Sequence, residues 1–335
     1  MTGDRPPAVS LVMTIRDEAT TLPALLESIR QQTLRPSEII IVDGGSDDRS
    51  VEILRQWSTR LPLKVLEHPG ASISLGRNVG IEQATSEIIA VTDAGVRLDR
   101  DWLQHLVAPL SQTTSVFDVS AGFFQPDPHN EFEAALAATT LPDLDEIDGR
   151  SFLPSSRSVA FRKSWFDAGV RYPEWLDYCE DLVFDLRLKQ AGARFAFQPA
   201  AIARFRPRPD VRAFWNQYYR YARGDGKADL FRRRHLLRYL AYLAVPPSIV
   251  LVKSPLWRVL VLLGGIGYMR RPVQRLLRRN GGDAGTVVRL SLRAGLLRGV
   301  GDIAKMVGYP VGLLWRAQRY GLRRDWRSIP ETRGH

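Results

Sequence analysis

Asp43 stands at the end of an apolar run and in front of a glycine turn, in the sequence EIIIVDGGSDDRS from Glu38 to Ser50. A short β-branched run bounded by Asp and Gly predicts a buried strand that ends abruptly. Apolar residues return at helical spacing in Val51 to Trp57, so a helix follows. A carboxylate at such a strand end can accept hydrogen bonds from a base N–H or from sugar hydroxyls. The alternative is a surface turn in which Asp47 caps the helix.

Alternating strands and helices must position that carboxylate. Their order predicts an α/β fold with a mostly parallel sheet flanked by helices, whose carboxyl edge is the place where ligands bind. No G-x-G-x-x-G follows the first strand and the chain has no G-x-x-x-x-G-K-[ST], which argues against a dinucleotide fingerprint and a P-loop. The other predicted strands are Val9–Ile15, Leu63–Glu67 and Ile88–Val91, and the other predicted helices cover Leu22–Gln31 and Gly76–Ala84.

The first hundred residues resemble the nucleotide-sugar half of family 2 glycosyltransferases, which have the GT-A fold. The matching sequences are SLVMTIRDEATTLPALLESI, EIIIVDGGSDDRS, GASISLGRNVGIEQATSEIIAVTDAG and LDRDWL. The resemblance continues to about Asp229, and implies a GT-A domain at 1–229 with a nucleotide-sugar half at 1–100 and an acceptor half at 101–229. It implies an inverting enzyme that moves a sugar from a nucleotide sugar, expected to be a UDP-sugar, to a hydroxyl of a glycan or lipid-linked acceptor.

The resemblance also assigns a donor site. Asp43 would read the base, expected to be uracil, and Asp93 would contact the ribose or a metal. The remaining donor residues would border the nucleotide or frame its site: Thr14, Arg16, Glu18, Arg77 and Asn78.

The sequence departs from the family at the metal position. Relatives carry an aspartate pair of D-x-D type whose last carboxylate binds a divalent cation, Mg²⁺ or Mn²⁺, on the donor diphosphate. Here the fourth strand ends in TDAG, so Gly95 stands where that carboxylate is expected, and Phe205 stands about where the family often has a histidine. Asp93 is left as the single metal candidate, and we expect weak or absent dependence on the cation.

Arginine side chains offer another way to hold a diphosphate, because a guanidinium makes bidentate hydrogen bonds to phosphate oxygens. The candidates for this role are Arg97, Arg204 and Arg206. Ordinary salt bridges are the alternative for each of them.

Glu180 and Asp181 begin the sequence EDLVFDLRLKQAG, which predicts a helix. Carboxylates are favoured at a helix start by the helix dipole, which is a sufficient structural explanation. The sequence also resembles the family's E-D motif, which precedes an R-L pair and a glycine. By that resemblance Asp181 is the general base that deprotonates the acceptor hydroxyl, with Glu180 beside it in the catalytic pair.

The acceptor side is predicted from aromatic and arginine residues. Gln217 to Tyr221 (QYYRY) is similar to the family's Q-x-x-R-W signature, so Arg220 would reach phosphate and Tyr221 would stack on a sugar. Trp175 is a candidate for lining the acceptor pocket. Packing of an amphipathic helix and of the core is the alternative explanation for these side chains.

Charge and apolar patterning single out the last third, residues 230–335. The net charge is +11, and arginines dominate from Arg204 onwards. Two apolar stretches, Leu236–Val252 and Leu256–Met269, are each shorter than the ~20 residues of a spanning helix. The sequence predicts a helical region that attaches to an anionic membrane, either at the interface or as a hairpin, with a soluble helical tail as the alternative. Nucleic acid is disfavoured because the basic residues alternate with apolar runs rather than with stacking aromatics.

Composition and the first residues bear on the compartment. One cysteine argues against a disulfide framework, and MTGDRPP lacks the apolar segment of a signal peptide. We therefore expect an enzyme at the cell inner membrane with its catalytic domain in the cytoplasm. The rival hypothesis is a catalytically impaired GT-A-fold binding or scaffold protein at the membrane, which Gly95 favours and the Glu180–Asp181 pair opposes. A nucleotidyltransferase is disfavoured because the first loop, TIRDEAT, has no glycine-rich, lysine-containing sequence.

Overall fold

Eight strands form one sheet in a computed structural model that describes residues 7–111, 115–279, 283–321 and 324–329. The order across the sheet is β3-β2-β1-β4-β7-β6-β8-β5. Along the chain the strands are Val9–Ile15 (β1), Glu38–Asp43 (β2), Leu63–Glu67 (β3), Ile88–Val91 (β4), Val96–Leu98 (β5), Val119–Pro126 (β6), Val159–Arg162 (β7) and Phe195–Phe205 (β8).

The sheet is mixed, which corrects the expectation of a mostly parallel one. β1 pairs in parallel with β2 and β4, and β2 pairs in parallel with β3. β7 pairs antiparallel with β4 and β6, and β5 pairs antiparallel with β8. Only Thr92 to Gly95 separate β4 from β5, which is too short for the crossover connection that parallel neighbours need, and β5 pairs instead with β8 at the far edge.

Helices cover both faces of the sheet because β1 and β2 are apolar on both sides. Leu11 and Met13 face one buried cluster, whereas Val12 and Ile40 face the other. The helices are Leu22–Arg30 (α1), Ser50–Trp57 (α2), Ile73–Glu82 (α3), Trp102–Val107 (α4), Glu131–Thr140 (α5), Lys163–Asp167 (α6), Glu180–Gln190 (α7), Val211–Ala228 (α8), Arg232–Leu251 (α9), Pro255–Arg279 (α10) and Ala284–Tyr320 (α11). Two 3₁₀ turns cover Ala108–Leu110 and Leu144–Glu146.

The chain divides into two compact units. The first contains the sheet, with residues 7–125 and 144–205 among those described, and the second contains residues 126–143 and 206–329. The boundary expected at residue 229 therefore lies inside the second unit. Residues on both sides of position 229 belong to one unit because α11 packs closely on α8. A Cβ at Gly308 would meet the Tyr219 carbonyl oxygen at 2.2 Å, and one at Gly312 would meet the Arg223 carbonyl oxygen at 2.0 Å, so only glycine allows this close approach.

The second unit is helical, as predicted for the last third. α9 continues through Pro246 and Pro247, and the break before α10 falls at Val252–Ser254. Many leucines of α9 and α10 are exposed, including Leu243 at 67% and Leu262 at 64%. Within the described residues, no helix combines the length and apolar character needed to cross a bilayer.

Candidate active site

The side chain of Arg77 links two of the predicted catalytic elements. It lies on α3 and is 1% exposed. Its Nη2 donates to Asp93 Oδ1 at 2.7 Å, and its Nη1 donates to Glu180 Oε1 at 2.8 Å. Asp93 follows β4 at the carboxyl edge of the sheet, and Glu180 is the first residue of α7. One buried guanidinium thus joins the predicted donor edge to the E-D motif.

One face of α3 holds the whole loop that precedes α7. Ser74 Oγ donates to the Leu176 carbonyl oxygen at 3.2 Å. The Asn78 side-chain amide donates to the Tyr172 carbonyl oxygen and to Glu174 Oε1, both at 2.9 Å, and its oxygen accepts from the Tyr172 N–H at 3.0 Å. Ser74, Arg77 and Asn78 have the spacing of one helix face. Ser74 and Asn78 therefore fix the loop between Tyr172 and Leu176, and the partly buried Trp175 lies within this stretch.

The two carboxylates on Arg77 have opposite electrostatic behaviour. Burial and the neighbouring Asp181 charge raise the pKa of Glu180 to about 7, against the lowering effect of Arg77. Burial would also raise the pKa of Asp93, but Arg77 and Arg157 together hold it below its usual value. Asp93 is therefore the firmly ionised member, whereas Glu180 exchanges its proton near neutral pH.

Asp181 lies in the first turn of α7, where backbone N–H groups favour a negative charge. Its Oδ1 accepts the Leu182 N–H at 2.8 Å, and its side chain is partly exposed. One turn further along α7, Asp185 is 2% exposed, and burial followed by the Asp181 charge raises its pKa well above the usual value. Sequence reasoning missed Asp185 because nothing in its spacing separates it from a surface carboxylate.

Asp43 ends β2 beside an open cleft of about 570 Å³. Its Oδ2 accepts the backbone N–H groups of Gly45 at 3.1 Å and Ser46 at 3.0 Å, and its side chain is almost completely buried. The carboxylate therefore shapes the loop as well as reaching the cleft. The N-cap position of α2 is Arg49, and the first helical N–H, that of Ser50, is accepted by Asp48 Oδ1 at 2.9 Å rather than by Asp47.

The first loop contributes residues to the same edge. Arg16 lines the cleft at Asp43. Glu18 accepts a hydrogen bond from the Thr21 hydroxyl, and its own N–H donates to Ser50 Oγ at 2.9 Å, which ties the first loop to the second. Thr14 Oγ1 is buried and makes no hydrogen bond to any residue that the structure describes, and its side chain packs so closely on Gly76 that no Cβ fits there. The structure thus places all three residues near the carboxyl ends of β1 and β2.

Comparison of the sequence with known protein families gives a match. The family described as "Glycosyl transferase family 2" matches residues 10–167. The chain carries a family 2 glycosyltransferase domain.

Relatives agree with that assignment, and a solved structure shares the fold. The chain is 26% identical over 241 residues to the glycosyltransferase AglE of Haloferax volcanii, covering 70% of this chain and 78% of the relative. It is 28% identical over 255 residues to the succinoglycan biosynthesis protein ExoA of Rhizobium meliloti, covering 71% and 75%. The mannosyltransferase PcManGT of Pyrobaculum calidifontis, solved with GDP-Man and Mn²⁺, shares the fold at a TM-score of 0.52 and 16% identity, covering 94% and 88%. The protein is a glycosyltransferase.

The surroundings of Asp93 in this glycosyltransferase do not fit a divalent cation held by the protein. Asp93 already faces two guanidinium groups, Arg77 at 2.7 Å and Arg157 at 3.7 Å, which would repel a cation. Gly95 offers no side chain. Among the residues that the structure describes, no three His, Cys, Asp or Glu side chains are grouped as a metal site.

Two of the arginines expected on the diphosphate form salt bridges instead. Arg204 Nε and Nη2 donate to the two oxygens of Asp99 at 2.7 and 3.0 Å. Arg206 pairs with Glu133, a fully buried carboxylate of the second unit. Arg97 lies exposed on β5, opposite Arg204 in the strand register. Arg204 and Arg206 thus form the ordinary salt bridges that were the alternative to binding a diphosphate.

The predicted acceptor signature lies on α8 in the second unit. Gln217 Nε2 donates to the Tyr221 hydroxyl at 2.8 Å, one turn apart on the helix. Tyr221 also packs on Tyr218, with ring centroids 5.8 Å apart, and Arg220 is exposed. These contacts are those of an amphipathic helix, and they leave acceptor binding as a prediction.

Proposed function

We propose that the protein transfers a sugar, with inversion, from a UDP-sugar to a hydroxyl of a glycan or lipid-linked acceptor. The observation that carries this proposal is the Arg77 bridge between Asp93 and Glu180. It places the carboxyl edge of the sheet and the start of α7 in one buried network. A donor held at that edge would present its anomeric carbon to a base on α7.

The reaction follows from the roles of Asp181 and Glu180. The acceptor hydroxyl oxygen attacks the anomeric carbon while its proton passes to the Asp181 carboxylate. The bond between the anomeric carbon and the β-phosphate oxygen breaks, and its electron pair leaves with the nucleoside diphosphate. One base and one direct displacement invert the anomeric configuration. Glu180 and Arg77 hold the first turn of α7 in place, which keeps Asp181 in position.

The donor base is assigned to the cleft at Asp43. Uracil carries an N–H that can donate to a carboxylate. Asp43 Oδ2 accepts from two backbone N–H groups and Oδ1 accepts from the Ser46 hydroxyl, which leaves one acceptor position on Oδ1 for the base. Arg16 and the glycines of the loop line the same cleft, so a base bound there would contact the loop backbone and the Arg16 guanidinium.

The proposed acceptor class comes from the similarity of the chain to a relative, ExoA. ExoA is named for succinoglycan biosynthesis, and this supports a glycan or lipid-linked glycan acceptor in cell envelope polysaccharide synthesis. The rival function, a binding or scaffold protein without turnover, is favoured by the engagement of Asp93 with two arginines and by Gly95.

We further propose that the exposed apolar side chains of α9 and α10, called the α9–α10 surface, lie on an anionic membrane. Leu243 is 67% exposed and Leu251 is 77% exposed, well beyond isolated surface leucines. Exposed arginines such as Arg233, Arg258 and Arg271 accompany them and suit anionic headgroups. This would place the protein on the cytoplasmic side of the cell inner membrane. The α9–α10 surface contains Leu236, Leu237, Leu240, Leu243, Val250, Leu251, Leu256, Leu262, Leu263 and Ile266.

A panel of nucleotide sugars tests the function. Thermal unfolding is measured with UDP- and GDP-sugars, because a bound donor raises the melting temperature with its concentration. Hydrolysis and transfer are then measured with the sugar that stabilises, in the wild-type enzyme and in Asp181→Asn. Stabilisation with turnover that Asp181→Asn abolishes supports an enzyme, whereas stabilisation without turnover in either protein supports the binding protein.

A further inference from the structure

Arg157 lies between Phe205 and Asp93, next to the two positions at which the sequence departs from the family, Phe205 and Gly95. Its guanidinium carbon lies 4.5 Å from the centroid of the Phe205 ring and 6.0 Å from that of Phe124. Its Nε faces Asp93 Oδ2 at 3.7 Å. Phe205, which stands at the expected histidine position, thus supports the Arg157 guanidinium by a cation–π contact. This cation lies beside Asp93, the aspartate whose usual second carboxylate is replaced by Gly95.

The strand register fixes this position. β4 and β7 are antiparallel, with Val91 opposite Val159, so the residues just after β4 lie beside those just before β7. The Thr92 hydroxyl donates to the Arg157 carbonyl oxygen at 2.9 Å, which holds the two chain segments together. Arg157 is therefore aligned with Asp93 by the backbone.

Asp93 faces more positive charge than it carries itself. Arg77 and Arg157 both face this carboxylate, so two positive charges meet one firmly negative charge. Glu180 and Asp181 add negative charge beside Arg77, so Arg157 rather than Arg77 supplies the attraction for an anion. The contact of Arg157 Nε with Asp93 Oδ2, at 3.7 Å, is longer than a hydrogen bond, and Arg157 Nη1 donates to the Ser155 hydroxyl at 3.1 Å, so an incoming phosphate oxygen would compete with these two contacts.

Space for that anion exists at Gly95. A Cβ built on Gly95 meets no atom within 4 Å, whereas the Arg77 side chain is buried. Arg157 is 19% exposed, so a ligand at the sheet edge can reach its guanidinium. Arg77 therefore serves the internal network, and Arg157 is the arginine that can meet a ligand.

We propose that Arg157, supported by the Phe205 ring beside Asp93, binds the diphosphate of the sugar donor and takes the place of a divalent cation. This inference rests on the proposed donor site. It assigns the diphosphate to a residue different from Arg97, Arg204 and Arg206, two of which are held in salt bridges. Phe205 is a positioning residue, because it acts through Arg157.

Nucleotide binding by calorimetry tests the proposal with UDP, GDP, UMP and GMP, each in EDTA and in Mg²⁺. For the wild-type protein we expect the diphosphate dissociation constant in EDTA to lie within about threefold of that in Mg²⁺. Arg157→Gln should weaken diphosphate binding by about tenfold to hundredfold, and monophosphate binding by less than about threefold. Phe205→Leu should show the same selectivity with a smaller loss. Thermal unfolding verifies that each variant is folded.

Arg162→Gln is the matched control, because it removes an arginine from the opposite end of β7. Equal weakening of diphosphate and monophosphate by Arg157→Gln, or a selective loss in Arg97→Gln instead, overturns the assignment. Loss of wild-type diphosphate binding in EDTA also overturns it. Failure of the wild-type protein to bind any of the four nucleotides overturns the donor site itself, and with it the proposed function.

Discussion

The ligand edge of the sheet and the α9–α10 surface depart from the usual distribution of side chains in opposite directions. At the edge, Arg77 and Glu180 are buried charges. On α9 and α10, leucines such as Leu243 and Leu262 are exposed. Buried charges and large exposed apolar surfaces are the two informative exceptions to ordinary packing, and each is costly unless a partner is supplied. The edge supplies partners from within the protein, whereas for the α9–α10 surface we propose a partner from outside, the membrane.

Replacement of the proposed base should give the largest effect. Asp181→Asn should lower turnover by about 10²- to 10⁴-fold, because a positioned general base contributes that much. Donor affinity should stay nearly unchanged, since Asp181 acts on the acceptor. Asp185→Asn is the control on the same helix: burial and the Asp181 charge raise the pKa of this carboxyl well above its usual value, which favours the neutral form that the amide resembles. Near-normal turnover in a folded Asp181→Asn protein would refute the assignment.

Removal of the bridging arginine should give the largest effect on stability. Arg77→Leu leaves Asp93 and Glu180 without their shared partner, and breaking a buried ion pair in this way costs about 3–5 kcal/mol. Urea unfolding measures the loss. Arg204→Leu is the control, because its pair with Asp99 is about one-third exposed and should cost roughly 1 kcal/mol or less. Equal losses of unfolding free energy in the two variants would show that the buried Arg77 bridge stabilises the fold no more than a partly exposed salt bridge does.

The α9–α10 surface is tested with vesicles. Wild-type protein should sediment with vesicles that contain anionic lipid, and Leu243→Glu with Leu263→Glu should weaken binding by at least about tenfold, because each leucine loses its burial in lipid. Leu144→Glu, an exposed leucine of the first unit, is the control. If wild-type protein ignores vesicles but forms dimers that the double variant disrupts, the surface is covered by a second copy instead.

The sequence predicts the parallel half of the fold and less of the rest. The run of strands from β1 to β4 and their helices could be derived because β-branched runs alternate with helical periodicity. The antiparallel pairing of β4 with β7 could not, since it joins segments more than sixty residues apart, as in the pair Val91–Val159. Asp181 is visible from its motif, but the position of Arg157 depends on that long-range pairing, and the Arg77 bridge depends on a contact with Glu180, which is 103 residues away in the sequence. An arginine in a loop carries no local signal of the carboxylate that it will meet.

The pH dependence of stability tests whether burial or Arg77 controls Glu180. Its pKa is about 7 in the folded protein and about 4.5 in its unperturbed state, so the folded protein retains a proton that the unfolded chain releases. Raising the pH from about 4.5 to 7 therefore favours unfolding, by roughly 1–3 kcal/mol. Glu180→Gln should remove this slope when urea unfolding is measured at several pH values. A wild-type stability that rises over this range relative to Glu180→Gln would show that pairing with Arg77 outweighs burial.

The loop at Asp43 gives the smallest expected effect and separates ligand binding from loop structure. Asp43→Ala should weaken nucleoside diphosphate binding by about tenfold, because it removes the acceptor beside the cleft. Asp48→Ala should lower stability more than affinity, since Asp48 accepts the N–H groups of Ala19 and Ser50. Asp47→Ala is the exposed control. Calorimetry with UDP and thermal unfolding of the three variants distinguish the roles. Equal, small changes in affinity would mean that Asp43 only closes its turn, and that this buried carboxylate, unlike Asp93, belongs to the fold alone.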